Sequence, residues 1–498
     1  MYQNDFVGRI QDMNKKHICL LLIPFLLSSC GNKNQGQSSS SEIDDSNAII
    51  KEDVTINFLS MTDGSYLSTL KSIVNSLSEV EPHIKVNIYN PLGTGNYNIL
   101  ENYVVAGFFK EDYPDMVQCY SDNVVKYISH GYAVKLNDYI NNETYGIHDQ
   151  DYIKAFMDEG SSYDKEGSTY SLPFCKSTEL MYYNEDVLLN LDLSDVDNTI
   201  NNGEPLTDAY LNNLTWEEFF GRLCPALKAK NASLSDDEKL YKEGKSSCIL
   251  AVDSDENFFI TLANQYGYGY TSVNDDGSGN IEFDNPNMKN LMKTLKSAKD
   301  NGYLQTRGTY VDYVSSLFTN REALFTISST AGLSYNVPSA KQEQFLLGVT
   351  RIPYAEGHEY TSINQGPSVC ILDHKDETRS LASYLLWKHI TSVENAIIWT
   401  LSTGYMGIRG STYTSDAYQE ALSPAADATP YEIAEARNFK KISEVRDSMF
   451  NTALFIGSSN ARSNAGKLLT DCLNSEDLDS EIDELFKKYS DETKKHLG

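Results

Sequence analysis

Between residues 54 and 130 the apolar positions change period repeatedly, from every second residue to every third or fourth and back. A chain written this way alternates strands with helices, and the architecture that accommodates such alternation is a largely parallel sheet covered by helices. Val54-Thr55-Ile56-Asn57-Phe58-Leu59 interleaves β-branched, aromatic and polar residues and predicts a strand. Thr62-Asp63-Gly64-Ser65 is a turn, after which Leu67, Leu70, Ile73, Val74 and Leu77 predict a helix that Pro82 ends. Ile84–Ile88 is the next strand, a helix follows over about 96–109, and 114–120 is a third strand. A further helix leads through Gly131 to Leu136. The expected class is therefore α/β.

The later chain is more helical. Thr215-Trp216-Glu217-Glu218 fits a capping box, with Thr215 capping and Glu218 reaching back. Helices are expected over 253–265 and 287–300. Between them, 274–282 has part of the pattern of a calcium loop, but Asn285 stands where a bidentate glutamate is needed, and a hairpin turn fits better. Short strands are expected at 323–327, 347–352 and 368–372, and helices at 377–389 and 392–401. The chain closes with amphipathic helices around 430–455, 462–474 and 478–490, and no internal repeat is visible.

The N-terminus has a separate logic. The apolar run Ile18–Leu27 is about half the roughly 20 residues that cross a bilayer. Lys15 and Lys16 precede it and Ser28 and Ser29 follow, which is the layout of a secretory signal starting at Met1 or Met13. Leu27-Ser28-Ser29-Cys30 resembles a bacterial lipobox, in which the cysteine is lipidated and becomes the new N-terminus; the alternative is a plain signal with a chance cysteine. On the lipobox reading, residues 1–29 are removed, Cys30 anchors the chain at the outer face of the cell membrane, and residues 31–52 form a flexible tether. No later segment approaches a membrane span.

The formal net charge of −29 disfavours a nucleic-acid partner, because such a surface repels phosphate backbones; otherwise the acidity serves solubility. The 33 tyrosines suit stacking on sugars or peptides, or ordinary packing. The 8 cysteines include no C-x-x-C pair and, beyond Cys30, read as small buried hydrophobes. The 8 histidines are dispersed without metal-ligand spacing. The motifs H-E-x-x-H, G-x-S-x-G and G-x-x-x-x-G-K are absent. Asp275/Asp276 and Glu217/Glu218 have the form of glycosidase carboxylate pairs, yet 70 acidic residues make such neighbours by chance. Binding is expected rather than catalysis, with no metal and no cofactor.

Several ordered segments then carry a resemblance. They are "DYPDMVQCY" at 112–120, "GSTYSLPFCKSTELMYYNEDVL" at 167–188, "LTWEEFF" at 214–220, "LFTNREALFTISST" at 317–330, "LGVTRIPYAEG" at 347–357 and "LSTGYMGIRGS" at 401–411. In this order the chain resembles the maltose-binding-like solute-binding proteins of bacterial ABC importers from about residue 53 onward. Asn320 and Gly407 depart from the glycine and proline usual in that pattern. The resemblance implies a type II periplasmic-binding-protein fold, with two α/β lobes, three hinge crossings and a central cleft. Residues 53–172 with 360–402 would form one lobe and 173–359 with 403–498 the other. It also implies a monomer that binds a mono- or oligosaccharide and delivers it to ABC permease subunits. Glycerol phosphate, a polyol or a peptide are alternative ligands on the same fold, and an anchored glycosidase is a reading of another class.

Ligands of open α/β sheets lie at the carboxyl ends of strands. Asp63 and Ser65 follow the first strand, as sugar ligands or helix cap. Tyr120, Ser121 and Asp122 follow the third, Ser329 follows a later strand, and Gln365 precedes another. Of Tyr182 and Tyr183, at most one faces the cleft, and Tyr182 is the candidate. Trp399 is a stacking or core residue; Tyr405 and Arg409 lie on the third expected crossing, Arg409 binding either ligand or a neighbouring acid.

Overall fold

The computed structural model describes residues 47–93, 96–310 and 312–497. The expected signal, Cys30 and most of the expected tether lie outside the described residues.

In the N-terminal part, β1 (Val54–Leu59), α1 (Gly64–Ser76), β2 (Ile84–Tyr89), α2 (Tyr97–Phe108), β3 (Met116–Cys119) and α3 (Ser121–Ser129) follow one another as the changing period predicts. Ile56, Phe58 and Leu59 of β1 are fully buried, as are Leu70 of α1 and Val117 of β3. β1 pairs in parallel with both β2 and β3. The first sheet has the order β2-β1-β3-β10-β4, where β4 is Ser171–Pro173 and β10 is Ser368–Ile371. β10 is antiparallel to β3 and β4, so the sheet is mixed rather than wholly parallel. The reason is connectivity: β10 arrives from the second sheet instead of through a crossover helix on the first.

That second sheet has the order β9-β5-β8-β6-β7, formed by β5 (Glu179–Asn184), β6 (Cys248–Val252), β7 (Leu304–Thr306), β8 (Ala323–Ser329) and β9 (Leu347–Arg351). Its parallel half is β8-β6-β7, and β5 runs antiparallel between β8 and β9. Helices α4 (Asp255–Gln265) and α5 (Pro286–Asp300) follow β6. The chain is thus built as two sheet-containing lobes. Helices α6 (Glu377–Ile390) and α7 (Val393–Thr403) pack on the first, and α8 (Pro430–Val445), α9 (Ser458–Asn474) and α10 (Leu478–Lys494) on the second.

The motif residue Asp115 proves to be architectural. It is buried, accepts the Asn57 amide at 2.7 Å and takes both Nε and Nη2 of Arg379, at 2.6 and 2.8 Å. This ties β3 to β1 and to α6.

Two local expectations change. Thr215 does cap, accepting the Glu218 amide at 3.2 Å, but the Glu218 carboxylate accepts the Tyr210 hydroxyl instead of reaching back. The segment 446–457 is not helical throughout: Met449–Phe450 pairs in parallel with Ser362–Ile363, and this tertiary pairing overrides the helical period. The hairpin expected over 274–282 is present, with Thr271–Val273 antiparallel to Gly279–Ile281.

Three extended passages lie side by side between the sheets. Cys175 and Ser177 donate their amides to the carbonyls of Pro367 and Gln365, both at 2.9 Å, and Met406 donates to Lys176 at 2.7 Å. The chain beyond Met406 stays against the first lobe for some residues, because Arg409 and Ser411 bond to Asp149 and Asp151. Cys119, Cys175, Cys224, Cys248, Cys370 and Cys472 are buried and free.

Candidate functional site

A cavity of about 1090 Å³ opens between the two sheets and draws residues from both lobes. The first lobe contributes Asn96–Asn98 at the start of α2, and Tyr120, Asp122 and Asn123 after β3. These positions follow from the fold, since the carboxyl ends of strands and the amino ends of the next helices face the crevice. The Tyr97 and Tyr120 rings meet edge to face, with centroids 4.7 Å apart, and the Tyr97 hydroxyl receives Gln118 Nε2 at 3.3 Å. Asn123 accepts the Tyr120 amide at 3.1 Å and donates to Glu101 at 2.9 Å, so the loop carrying Tyr120 is fixed from below.

The second lobe contributes Glu179, the start of α4, Arg307, Ser329, and one face of α9. Asn257 is the node of this wall. Its Nδ2 donates to Glu179 Oε1 at 3.1 Å and to Gln365 Oε1 at 2.5 Å, while its Oδ1 accepts Arg462 Nη2. The Arg462 guanidinium also sits 5.9 Å from the Tyr120 ring centroid, reaching across to the first lobe. Asp255 is held by Thr306 Oγ1 at 2.6 Å, by the Gly308 amide at 2.9 Å and by Thr470 Oγ1 at 3.0 Å.

Burial governs the ionisation of these groups. It raises the Glu179 carboxyl from 4.5 to about 8, against the lowering effect of the Asn257 hydrogen bond. Burial likewise raises Asp122, Asp253 and Asp255; Arg462 opposes the shift at Asp122, and the Thr306 hydrogen bond opposes it at Asp255. Among the described residues, no group of three or more His, Cys, Asp or Glu is disposed to hold a metal ion.

The structure brings Tyr120, Asp122, Ser329 and Gln365 together around the cavity. Ser121 is buried beside them at the start of α3, its hydroxyl without a partner. The other candidates lie elsewhere. Asp63 is exposed and precedes α1 without a side-chain capping bond, and Ser65 is in the first turn of that helix. Tyr182 is fully buried, its hydroxyl donating to Asn438 at 3.0 Å, and Tyr183 donates to Asp208 at 3.0 Å. Trp399 stacks on Phe174, at 5.1 Å, and on Tyr405, at 6.2 Å, inside the core. Arg409 is buried under Tyr152, 3.9 Å from the ring centroid, and pairs with Asp149 and Asp151. The pairs Asp275/Asp276 and Glu217/Glu218 are not part of this cavity.

Sequence reasoning missed the α9 wall. Ser459, Arg462, Ser463, Gly466 and Thr470 fall on one face, opposite the buried stripe Ala461, Ala465, Leu468, Leu469 and Cys472. Small polar residues at helical spacing opposite an apolar stripe were the available signal.

A family model described as bacterial extracellular solute-binding protein matches residues 85–425. No curated protein matches the chain. Among solved structures, the chain is similar to UgpB from Mycobacterium tuberculosis in complex with glycerophosphocholine, with 13% identity and a TM-score of 0.65 over 89% of this chain and 99% of that one. It is also similar to the maltose/maltodextrin-binding domain MalE from Bdellovibrio bacteriovorus bound to maltotriose, with 13% identity and a TM-score of 0.62 over 89% and 100% of the two chains. The sugar-binding protein MalE from Xanthomonas citri gives 16% identity and a TM-score of 0.63 over 89% and 98%. At such identities the likeness to these structures is one of fold. The family match spans most of the folded chain, and the two-lobed architecture with its shared cavity agrees with it: the chain belongs to the bacterial extracellular solute-binding protein family.

Proposed function

We propose that this protein is the extracytoplasmic binding component of an ABC importer, that it takes a neutral carbohydrate between its lobes, and that it passes it to permease subunits without chemical change. The observation that carries the reading is the cavity shared by both lobes, with the Tyr97–Tyr120 ring pair on one wall and the Asn257–Gln365–Arg462 network on the other. Rings offer flat apolar faces to sugar C–H groups, and amides and charged groups serve the hydroxyls. Asp122, Asp253, Asp255, Glu256 and Asp471 line the same space against Arg307, Arg462 and Lys467, an excess of acidic groups that favours a neutral polyol over a phosphate. The solved relatives with maltotriose and with glycerophosphocholine mark these as the two ligand classes to compare.

On this reading, Tyr120, Asp122, Ser329 and Gln365 touch the ligand, and the side-by-side passages near Cys175 and Gly366 are two of the hinges. The lobes are residues 53–172 with 360–411, and 173–359 with the C-terminal remainder. The third crossing falls beyond Ser411, because Arg409 and Ser411 are bound to the first lobe. Ligand stabilises a closed form through contacts made to both lobes at once. Residues 1–29 are removed as a signal, Cys30 carries the lipid anchor, and the tethered protein works as a monomer.

The test is calorimetry and thermal shift on the purified folded part, with saccharides, polyols, glycerol phosphodiesters and peptides. Ligand at about 100 times its Kd adds about 2.7 kcal/mol of stability. Stoichiometric binding of a saccharide recovered unchanged supports the proposal. A shift with a phosphodiester or peptide alone, or conversion of the sugar, overturns it. For the anchor, Cys30→Ala should abolish labelling by a radiolabelled fatty acid and release the protein into the medium.

A further inference from the structure

A second concavity, of about 810 Å³, lies on the second lobe away from the interlobe cavity and shares no residue with it. Helix α4 connects the two: Asp255 and Asn257 at its start line the cleft, and Tyr266, just past its end, lines this groove. Its 11 residues set the sites on the order of 16 Å apart, at about 1.5 Å per residue.

The groove has one aromatic side and one polar side. After α4 the chain reads Tyr266-Gly267-Tyr268-Gly269, and both glycines take left-handed φ, of 64° and 80°. That reversal folds Tyr268 back onto Tyr266, with centroids 5.1 Å apart and ring planes 21° from parallel. Beside them Trp216 and Phe220 stack at 5.7 Å and 15°, and the indole N–H donates to Gln265 at 2.7 Å, which holds the ring in place. Facing these rings is a stripe of α5, Asn287, Asn290, Thr294 and Ser297, spaced by three and four residues and all exposed, continued by the C-cap Asn301, whose amide donates to the Ser297 carbonyl at 2.8 Å. The side-chain amides of Asn287 and Asn290 have no hydrogen-bond partner among the described residues.

Charge is the deciding observation. In a chain of net charge −29, this groove has two charged lining residues, and both are already engaged. Glu217 accepts the Tyr266 hydroxyl at 2.8 Å and the Glu356 amide at 3.0 Å, and Lys293 pairs with Asp479 at 2.5 Å. The one further cation at its edge, Lys228, donates to the Asn301 carbonyl at 2.8 Å and lies 5.8 Å from the Tyr303 ring centroid, so the groove offers an anion no cluster of counter-charges. An amphipathic helix would need an apolar stripe where α5 presents amides and hydroxyls. Stacked rings opposite free amides are the complement of a neutral, polyhydroxylated ring compound, with C–H faces on one side and hydroxyls on the other.

We propose that this groove is a second, independent binding site for a neutral oligosaccharide, held between Tyr266/Tyr268 and the amide stripe of α5. The interlobe cleft is not required for it. Such a site would keep a glycan chain at the protein surface beside the cleft, raising its local concentration there.

The chain has 3 tryptophans, at 216, 387 and 399, so protein labelled with 5-fluorotryptophan gives a resolved fluorine signal for each. Trp216 is assigned with Trp216→Phe. The probes are maltoheptaose, cellohexaose, xylohexaose and isomaltoheptaose, each titrated to 10 mM. The proposal expects at least one probe to move the Trp216 signal saturably, and to do so equally in the cleft variant Tyr120→Ala/Arg462→Ala. Tyr268→Ala should weaken this binding at least tenfold. Asn290→Lys, at an exposed position without a partner, should do the same with an unchanged urea midpoint. The proposal is overturned if no probe moves Trp216, if the shift persists unchanged in Asn290→Lys, or if it vanishes in the cleft variant, which would make it a report of lobe closure. Failure of the cleft to bind sugar leaves the Trp216 readout intact, so the two sites are judged separately.

Discussion

The ammonium of Lys176 lies 3.1 Å from the carbonyl oxygen of Gly366, joining the first passage of the chain between the lobes to the second. Lys176 is fully buried and is neutralised by Glu159 of the first lobe. A hidden cation at this point holds the passages together only while its partner is present. Lys176→Met leaves Glu159 uncompensated and should cost about 3–5 kcal/mol in urea unfolding. The double variant Lys176→Met/Glu159→Leu should recover most of that loss, because a well-packed apolar pair replaces the ion pair. No recovery in the double variant would mean that the lysine acts by other contacts.

Gly366 has a second constraint. Its φ is +95°, and a Cβ there would lie 2.0 Å from the Cys175 carbonyl oxygen. Gly277, at φ +85°, has nothing within 4 Å of such an atom. Gly277→Ala should therefore cost only the left-handed penalty of about 1–2 kcal/mol. Gly366→Ala should cost clearly more and also weaken ligand binding. Equal unfolding midpoints for the two variants would contradict the clash.

Ligand affinity should depend on the cavity walls and not on the remote candidates. Tyr120→Ala and Arg462→Ala each should weaken the cleft ligand about tenfold or more, near 1.4 kcal/mol, measured by calorimetry. Tyr120→Phe should keep most of the affinity if the ring face is what matters. Arg409→Ala should lower stability, since Asp149 and Asp151 lose their cation, while leaving affinity unchanged. A large affinity loss on Arg409→Ala would place the ligand elsewhere.

Glu179 gives a pH dependence of defined sign. Its folded-state value, about 8, lies above the usual 4.5, so between these values the folded chain holds a proton that the unfolded chain has released. Its contribution to stability is fully present below about 4.5, falls as pH rises through this window and is lost above about 8. Glu179→Gln removes the titration. Its stability relative to the parent should rise from pH 5 to pH 8 by on the order of a few kcal/mol. A difference that does not change with pH would show that the carboxyl is ionised throughout.

How much of this was legible in the sequence depends on range. β1, α1 and β2 were readable because their side-chain periods are local and match their burial: Leu70, Ile73 and Val74 are the buried face of α1. Tyr120 and Asp122 were readable because a strand end facing the crevice is a rule of topology, and the strand was evident. The same rule did not hold for Asp63, which follows β1 but is exposed outside the cavity. The strand Met449–Phe450 was not readable, since its partner Ser362–Ile363 is almost ninety residues away in sequence.

By itself the sequence determined the alternation of strands and helices, the two blocks and the absence of an evident catalytic motif, because these are set by neighbours within a few residues. Which rings line the cavity was decided by tertiary structure. Tyr120 and Tyr182 are both tyrosines beside or within strands, yet Tyr120 lines the cavity while Tyr182 is sealed by Asn438, 256 residues further on. The α9 wall came to the cleft in the same way, from the far end of the chain, through the Arg462–Asn257 contact. Burial is a property of what packs against a side chain, and here those partners come from opposite ends of the sequence.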